Sequence, residues 1–256
     1  MTTKREITEN WLHRYTGRNL EDFTPYILLT NFRYYLELFA EEHETEIEGK
    51  DKAMPTVSAN GITIIDFGMG SPNAATIMDL LYSISPKAVL FLGKCGGLKE
   101  KNKLGDFIIP IAAIRKEGTS DDYLPKEVPA LPSFNLQRAA SEAIKKNNKD
   151  YWTGVVFTTN RRVWEYDQGF KKQLMKTRAM AIDMETATIF TVGFANSIPC
   201  GAILLVSDQP MISNGIKTEE SDNLVTDKYV KMHLKIGIQS LREIIEHKKS
   251  MKHLRF

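Results

Sequence analysis

Acidic side chains stand where two apolar stretches of the sequence end, and their types and positions could do chemistry. Asp183 and Glu185 close the first stretch, which begins at Ala181, and Asp208 closes the second, behind Ile203–Val206. A fully apolar strand usually lies in the buried interior of a parallel sheet, and open α/β sheets bind ligands outside the carboxyl ends of their strands. Two carboxylates placed there on neighbouring strands could hold a hydroxylated ligand and protonate a leaving group.

Strands and helices are predicted to alternate along the rest of the chain. Further strands are predicted at Pro25–Leu29, Gly61–Phe67, Ala88–Leu92, Asp106–Ile114 and Gly154–Thr158, with an edge or bulge at Pro110. Helices are predicted over Ala74–Ile84, Ser133–Asn147, Gln168–Thr177, Thr186–Asn196 and Lys217–His247, with Ser71 capping the first. This alternation is typical of an α/β fold: a single domain over residues 1–256, in which helices flank a central, mostly parallel mixed sheet. Residues 1–20 are expected to form an N-terminal arm or helix.

The composition argues against several classes of function. Lys and Arg total 34 and Asp and Glu total 32, and the basic segment Lys248–Arg255 is interpreted as a solvated end rather than a nucleic-acid-binding arm. No signal peptide and no apolar stretch of about 18 residues is present, so neither a secreted nor a membrane protein is predicted. Cys95 and Cys200 form no CxxC pair, which suits a reducing cytoplasm. The five scattered histidines indicate no zinc site.

Four segments together resemble the purine nucleoside phosphorylase/nucleosidase superfamily. They occur in the order that the family has, and they are Gly68-Met-Gly-Ser71, Gly93-Lys-Cys-Gly-Gly-Leu98 with Gly105-Asp106 downstream, Asp183-Met-Glu185 and Ser207-Asp208. The segments 115–125, 128–132 and 158–165 are similar to the AMP nucleosidase branch of that superfamily. The resemblance implies a nucleoside phosphorylase-like fold and hydrolysis of the N-glycosidic bond of AMP, giving adenine and ribose 5-phosphate.

The same resemblance implies how the protein is organised. No metal or organic cofactor is expected. Similar enterobacterial enzymes carry an extra N-terminal regulatory domain, so this chain is expected to correspond to the catalytic domain. Related enzymes are homo-oligomers, commonly hexamers, and the resemblance places Phe32–Tyr35 or His43 near a subunit interface.

The resemblance also assigns roles to the acidic residues. Asp208 is expected to be the acid that protonates the departing purine near N7, with Ser207 holding it in place, and such help is worth roughly 10²–10⁴ in rate. Glu185 is expected to accept hydrogen bonds from the ribose 2′- and 3′-hydroxyls, while Met184 packs on the sugar. The residues themselves leave alternatives open. Ser-Asp-x-Pro is also ordinary turn chemistry, and Glu185 also suits the first turn of a helix. Asp183 is interpreted as a structural cap.

Phosphate and base contacts are less specific in the sequence. Phosphorylases of this superfamily carry an arginine where this chain has Phe91, which favours water over inorganic phosphate as the nucleophile. The 5′-phosphate is expected to meet Lys94, Arg115, Thr119 and Ser120, each of which could instead be an ordinary surface or loop residue. Phe157, Thr159 and Trp164 are expected around the base, although Phe157 could equally be a core residue. Lys217 could support the leaving base or be a solvated lysine.

Two other functions remain open from the sequence. One is a phosphorylase or a nucleosidase for an unphosphorylated nucleoside such as methylthioadenosine. The other is a nucleotide-binding module that has the cleft without the chemistry; the presence of both Glu185 and Asp208 argues against it.

Overall fold

The apolar stretches form an eight-stranded mixed sheet in a computed structural model that describes residues 2–246. The strands are β1 (Tyr26–Thr30), β2 (Thr56–Ala59), β3 (Ile62–Asp66), β4 (Ala88–Gly97), β5 (Phe107–Lys116), β6 (Tyr151–Thr159), β7 (Ala181–Asp183) and β8 (Cys200–Asp208). The helices are α1 (Lys4–Thr16), α2 (Arg33–Glu42), α3 (Ser71–Leu80), α4 (Phe134–Lys146), α5 (Gln168–Thr177), α6 (Thr186–Ala195) and α7 (Glu219–Glu246). The predicted α/β class with a mixed sheet is confirmed, whereas the segment Lys248–Arg255 lies outside the described residues.

Five of the strands close into a ring, which the sequence did not predict. β4 pairs in parallel with β8, and β5, β6 and β7 follow one another in parallel. Antiparallel contacts complete the ring, between β8 and β5 and between β7 and β4. β1 and β3 extend the sheet from β4 in parallel, and β2 ends it antiparallel to β3.

Helices cover both faces of this sheet. One hydrophobic cluster packs α1, α3 and α6 against it, and a second packs α2, α4 and α7 on the opposite side. A smaller cluster joins α5 to β6 and β7. In the described part of the chain, no helix is both long enough and apolar enough to cross a membrane.

β4 continues beyond the predicted strand end at Leu92, and the segment Gly93–Gly97 forms its second half. The strand extends because its glycines allow neighbours to approach closely: a Cβ on Gly93 would lie 2.4 Å from the Phe91 ring, and one on Gly97 would lie 2.9 Å from Asn102. A register shift between Cys95 and Gly96 bends the strand there. β4 can therefore pair with β1 along its first half, with β8 from Val89 to Gly96 and with β7 at its end.

Two further local predictions are corrected or confirmed by the backbone. Gly70, not Ser71, precedes the first turn of α3, and the helix ends at Leu80 rather than Ile84. The expected irregularity in β5 is present as a register shift between Pro110 and Ala112.

His233 is a buried histidine that the sequence pattern did not single out. Its Nε2 lies 2.9 Å from the carbonyl oxygen of Ile203, and its Nδ1 lies 2.8 Å from the Tyr35 hydroxyl. Because a carbonyl only accepts, Nε2 carries the proton and Nδ1 accepts from Tyr35. Burial lowers the pKa of His233 to about 4, so it is neutral in the core.

Candidate active site

A cleft opens where the carboxyl ends of β1, β6, β7 and β8 meet the bent half of β4. It is lined by Asn31, Phe32, Met69, Lys94, Cys95, Gly96, Thr159, Arg161, Arg162, Trp164, Glu165, Ile182, Asp183, Met184, Glu185, Ser207, Asp208 and Lys217. The position is the one that parallel sheets favour for ligands. Asp208, Ser207, Glu185 and Met184, predicted from separate parts of the chain, line this one cleft.

Glu185 is held in the cleft by the segment that precedes α3. Its Oε1 accepts a hydrogen bond of 2.7 Å from the backbone N–H of Gly70, and Asn31 donates a further side-chain hydrogen bond. Gly70 has φ +95°, a conformation that L side chains rarely adopt, and this aims its N–H at the carboxylate. Burial, with the neighbouring Asp183 adding to it, raises the pKa of Glu185 well above its usual range.

Met184 and Asp183 are fixed by the same group of loops. The Met184 carbonyl accepts 2.5 Å from the Ser71 hydroxyl. Asp183 accepts 2.7 Å from the Thr158 hydroxyl and 2.8 Å from the Thr186 N–H, and the Thr186 hydroxyl also donates to it. Asp183 therefore links β6 to the start of α6, the geometry of a structural cap.

Asp208 ends β8 with one of its oxygens held. The Ser207 hydroxyl donates 2.8 Å to Asp208 Oδ1. Burial raises the pKa of Asp208, against the lowering effects of the Ser207 bond and of Lys217 and Arg162, while Glu165 adds to the rise. A carboxyl group whose proton is held more tightly than usual is suited to act as a general acid.

Of the three residues expected around the base, two line the cleft and one does not. Thr159 and Trp164 line the cleft. Phe157 does not: it is buried with Trp164 and Leu174, and its ring meets Phe170 edge-on at 5.9 Å. The side chain points into the small cluster under α5, so the prediction of base stacking is wrong for Phe157 and the core alternative holds.

Of the residues expected around a phosphate, one lines the cleft and the others lie in the loop after β5. Lys94 lines the cleft, where its Nζ contacts Asp222 at 2.7 Å. Arg115 is 5% exposed and lies within the loop that follows β5, where all five of its N–H groups donate. Its acceptors are the Ser120 hydroxyl, the carbonyls of Ser120, Leu124, Pro125 and Val128, and, at 3.4 Å, the Asp121 carboxylate.

Thr119 and Ser120 lie on a short 3₁₀ turn in the same loop and do not line the cleft. The structure therefore does not bring Arg115, Thr119 or Ser120 to the site, because the guanidinium is consumed in ordering its own loop.

Several cleft residues were not predicted as ligands. Asn31 and Phe32 follow β1, Met69 lies in the glycine segment before α3, and Cys95 and Gly96 belong to β4. The signal that could have found Asn31 and Phe32 is their place directly after an apolar strand, the same rule that identified Asp208. The buried side-chain oxygen of Asn31 has no partner in the described part of the chain.

Charged side chains surround the acid on the remaining walls. Arg162 pairs with Glu165 at 3.6 Å, and Arg161 is held by Asp167 at 2.7 Å. Lys217 contacts Asp222 at 2.9 Å. The arrangement offers an ionisable acceptor for hydroxyl groups at Glu185, a proton donor at Asp208 and a cationic wall for an anion.

Comparison with known proteins places these features in a family. A family model described as the phosphorylase superfamily matches residues 25–242. AMP nucleosidase from Escherichia coli K12 is 30% identical over 276 aligned positions, which cover 90% of this chain and 57% of that protein. Guanosine phosphorylase from Halorubrum lacusprofundi is 26% identical, over 73% of this chain and 78% of that protein. The chain thus spans little more than half the length of the E. coli relative.

Solved structures agree with the architecture. A crystal structure of AMP nucleosidase from Bacteroides thetaiotaomicron has a TM-score of 0.87 and 58% identity, covering 97% of this chain and all of that one. Purine nucleoside phosphorylase from Toxoplasma gondii, solved with immucillin-H, has a TM-score of 0.77 at 22% identity over 88% of this chain and 95% of that one. The second likeness speaks to the fold alone.

Proposed function

This chain belongs to the phosphorylase superfamily, and we propose that it hydrolyses the N-glycosidic bond of AMP to give adenine and ribose 5-phosphate. The observation that carries the proposal is the meeting of Glu185 and Asp208 in one cleft, each with a raised pKa. The 58% identity to an AMP nucleosidase over almost the whole chain supports the choice of substrate.

The chemistry follows from how charge moves when this bond breaks. The ribose centre becomes oxocarbenium-like and the purine departs with negative charge. Asp208, whose pKa is raised by burial, donates its proton to the departing base near N7. Glu185 accepts from the two vicinal ribose hydroxyls as a carboxylate, and Met184 packs beside the sugar. Ser207 keeps the acid oriented through its 2.8 Å bond to Oδ1.

Water is the nucleophile that the cleft favours. Position 91, where the family resemblance implies an arginine in phosphorylases, carries a phenylalanine that is fully buried against Phe67, with ring centroids 5.7 Å apart. No cation from that position can reach the site. This supports hydrolysis over phosphorolysis.

A product assay tests the proposal directly. Purified protein incubated with AMP should release free adenine and ribose 5-phosphate at equal rates with and without inorganic phosphate. Asp208→Asn should lower kcat by roughly 10²–10⁴ while the urea midpoint stays near that of the parent. Absence of adenine under both conditions, or an Asp208→Asn chain with near-parental kcat, would rule the reaction or the acid out.

We propose further that the protein acts in the cytoplasm as a homo-oligomer, commonly a hexamer as the family resemblance implies. Free thiols at Cys95 and Cys200 support a reducing compartment. Large exposed apolar side chains near the cleft, Met69, Val163 and Tyr166, support a covering partner copy. Tyr35 is excluded from such an interface because it is fully buried. A monomer in light scattering would contradict the assembly.

A further inference from the structure

Two lysines on the cleft wall share a single carboxylate oxygen. Asp222 Oδ1, in the first turn of α7, lies 2.7 Å from Lys94 Nζ and 2.9 Å from Lys217 Nζ. The two ammonium groups are therefore less than about 6 Å apart, a distance at which they repel strongly without a counter-charge. Asp222 is not among the residues that line the cleft, whereas both lysines are. The carboxylate thus lies outside the cleft lining, while both lysines border the ligand space.

The rest of the cluster keeps both cations in place. Phe32 lies beneath them, with its ring centroid 4.6 Å from Lys94 Nζ and 5.9 Å from Lys217 Nζ. The Thr226 hydroxyl is 2.9 Å from Lys94 Nζ. An ammonium group has three donors, so Lys94, with two directed to Asp222 and Thr226, retains one for a ligand.

The charges within the cluster do not cancel. Asp222 is the one carboxylate that pairs with either lysine within residues 2–246. Burial raises the pKa of Asp222, but the bonds from the two lysines outweigh it and leave its pKa below the usual range, so it is ionised. Burial and the neighbouring Lys217 lower the pKa of Lys94, while Asp222 opposes that shift. With both lysines protonated, the two lysines and the single Asp222 carboxylate together carry one surplus positive charge.

We propose that Lys94 and Lys217 form a seat for a phosphate group and that Asp222 is its resident counter-ion, which sets how tightly the seat binds that group. The proposal rests on the hydrolysis of a nucleotide proposed above and names the residues that meet its anionic end. The phosphate could belong to the nucleotide or be free inorganic phosphate, and both share this chemistry. Asp222 holds the lysines together in the empty site and repels the phosphate once it arrives.

The test removes the negative charge of Asp222 and keeps the shape of its side chain. Asp222→Asn retains a side-chain oxygen that accepts from both lysines, and it raises the net charge of the cluster by one. Asp227→Asn, on the exposed side of the same helix, is the matched control for the same change in total charge. Binding of ribose 5-phosphate, ribose and inorganic phosphate is measured by calorimetry on the full chain, so no turnover is required.

The counter-ion role predicts a gain in affinity. Asp222→Asn should bind ribose 5-phosphate on the order of tenfold more tightly, with ribose unchanged, and the gain should shrink in high salt. Tighter binding of inorganic phosphate with no gain for ribose 5-phosphate would support the seat and assign it to free phosphate.

Equal effects of Asp222→Asn and Asp227→Asn, no change, or weaker phosphate binding in Asp222→Asn would overturn the proposal. If the parent chain released no adenine from AMP, the proposed reaction would fail, while a gain in ribose 5-phosphate binding would still support the seat.

Discussion

Replacing Arg115 with alanine should weaken the fold by several kcal/mol and leave nucleotide binding unchanged. Its guanidinium makes six hydrogen bonds, four of them to backbone carbonyls of residues 120–128, one to the Ser120 hydroxyl and one of 3.4 Å to Asp121, and only 5% of its side chain is exposed. A hydrogen bond from a charged group contributes about 1.5–3 kcal/mol. Several of the freed carbonyls can instead accept hydrogen bonds from water, so the full sum of these contributions is not lost. The free energy of unfolding is expected to fall by about 3–5 kcal/mol.

The assay for Arg115→Ala is urea unfolding, paired with the KM for AMP measured on the folded protein. Arg138 provides the matched control, because it is half-exposed on α4 and pairs with Glu142 at 3.9 Å, on the surface of the helix. Arg138→Ala should change the free energy of unfolding by less than about 0.5 kcal/mol. An Arg115→Ala chain of unchanged stability, with a KM for AMP raised tenfold and that for adenosine unaltered, would refute the structural role and restore the phosphate contact that the sequence suggested.

Two predictions concern pH. Because the pKa of Glu185 is raised and the ribose hydroxyls favour its ionised form, AMP binding to the Asp208→Asn chain should strengthen from pH 7 to 8.5, above the phosphate's own ionisation near pH 6. Calorimetry should show that this increase of AMP affinity with pH disappears when Glu185→Gln is added to Asp208→Asn. If the affinity still rose with pH, Glu185 would be excluded as the cause. His233 has a pKa of about 4 in the fold and 6.5 as its ordinary value, so stability should fall as pH drops through this interval, by up to about 3 kcal/mol. Urea unfolding at pH 7, 5 and 4 measures the loss, and an equal loss in a His233→Gln chain would contradict it.

Local patterns were sufficient for most of the sheet and helices. The apolar stretches predicted β1 and β3 to within one residue at each end, and α5 has the bounds expected from its spacing. The closure of the ring could not be predicted in this way. It depends on antiparallel contacts such as Phe107 with Leu205 and Gly97 with Ala181. Those residues are far apart in the chain and carry no local turn sequence between them.

Site residues could be predicted where they directly follow a strand. They could not be predicted where their role depends on which neighbouring side chains and carbonyls they bind. Asp208 and Glu185 could be found from the apolar stretch before each of them. Whether a cationic side chain has donors left for a ligand could not be predicted, because the sequence indicated both Arg115 and Lys94 as phosphate ligands. The structure shows the first consumed by its loop and the second open to the cleft.

The fixed hydrogen-bond donors distinguish Asp208 from the other two carboxylates at this end of the sheet. Asp183 accepts from two threonine hydroxyls and one backbone N–H, so its lone pairs are committed to the fold. Glu185 accepts from the Gly70 N–H at 2.7 Å, from the Met184 N–H at 3.3 Å and from the Asn31 side chain. Asp208 accepts a hydrogen bond from the Ser207 hydroxyl on Oδ1, and within residues 2–246 no other donor reaches it.

The second oxygen of Asp208 lies beside a position without a side chain. A Cβ on Gly96 would stand 3.2 Å from Asp208 Oδ2 and 3.1 Å from Ile182, tighter than ordinary van der Waals contact. The glycine at the bend of β4 therefore leaves Oδ2 room to carry a proton towards the cleft. Since proton transfer requires an oxygen that the fold has not already occupied, Asp208 is the carboxyl group of the three that can serve as the acid.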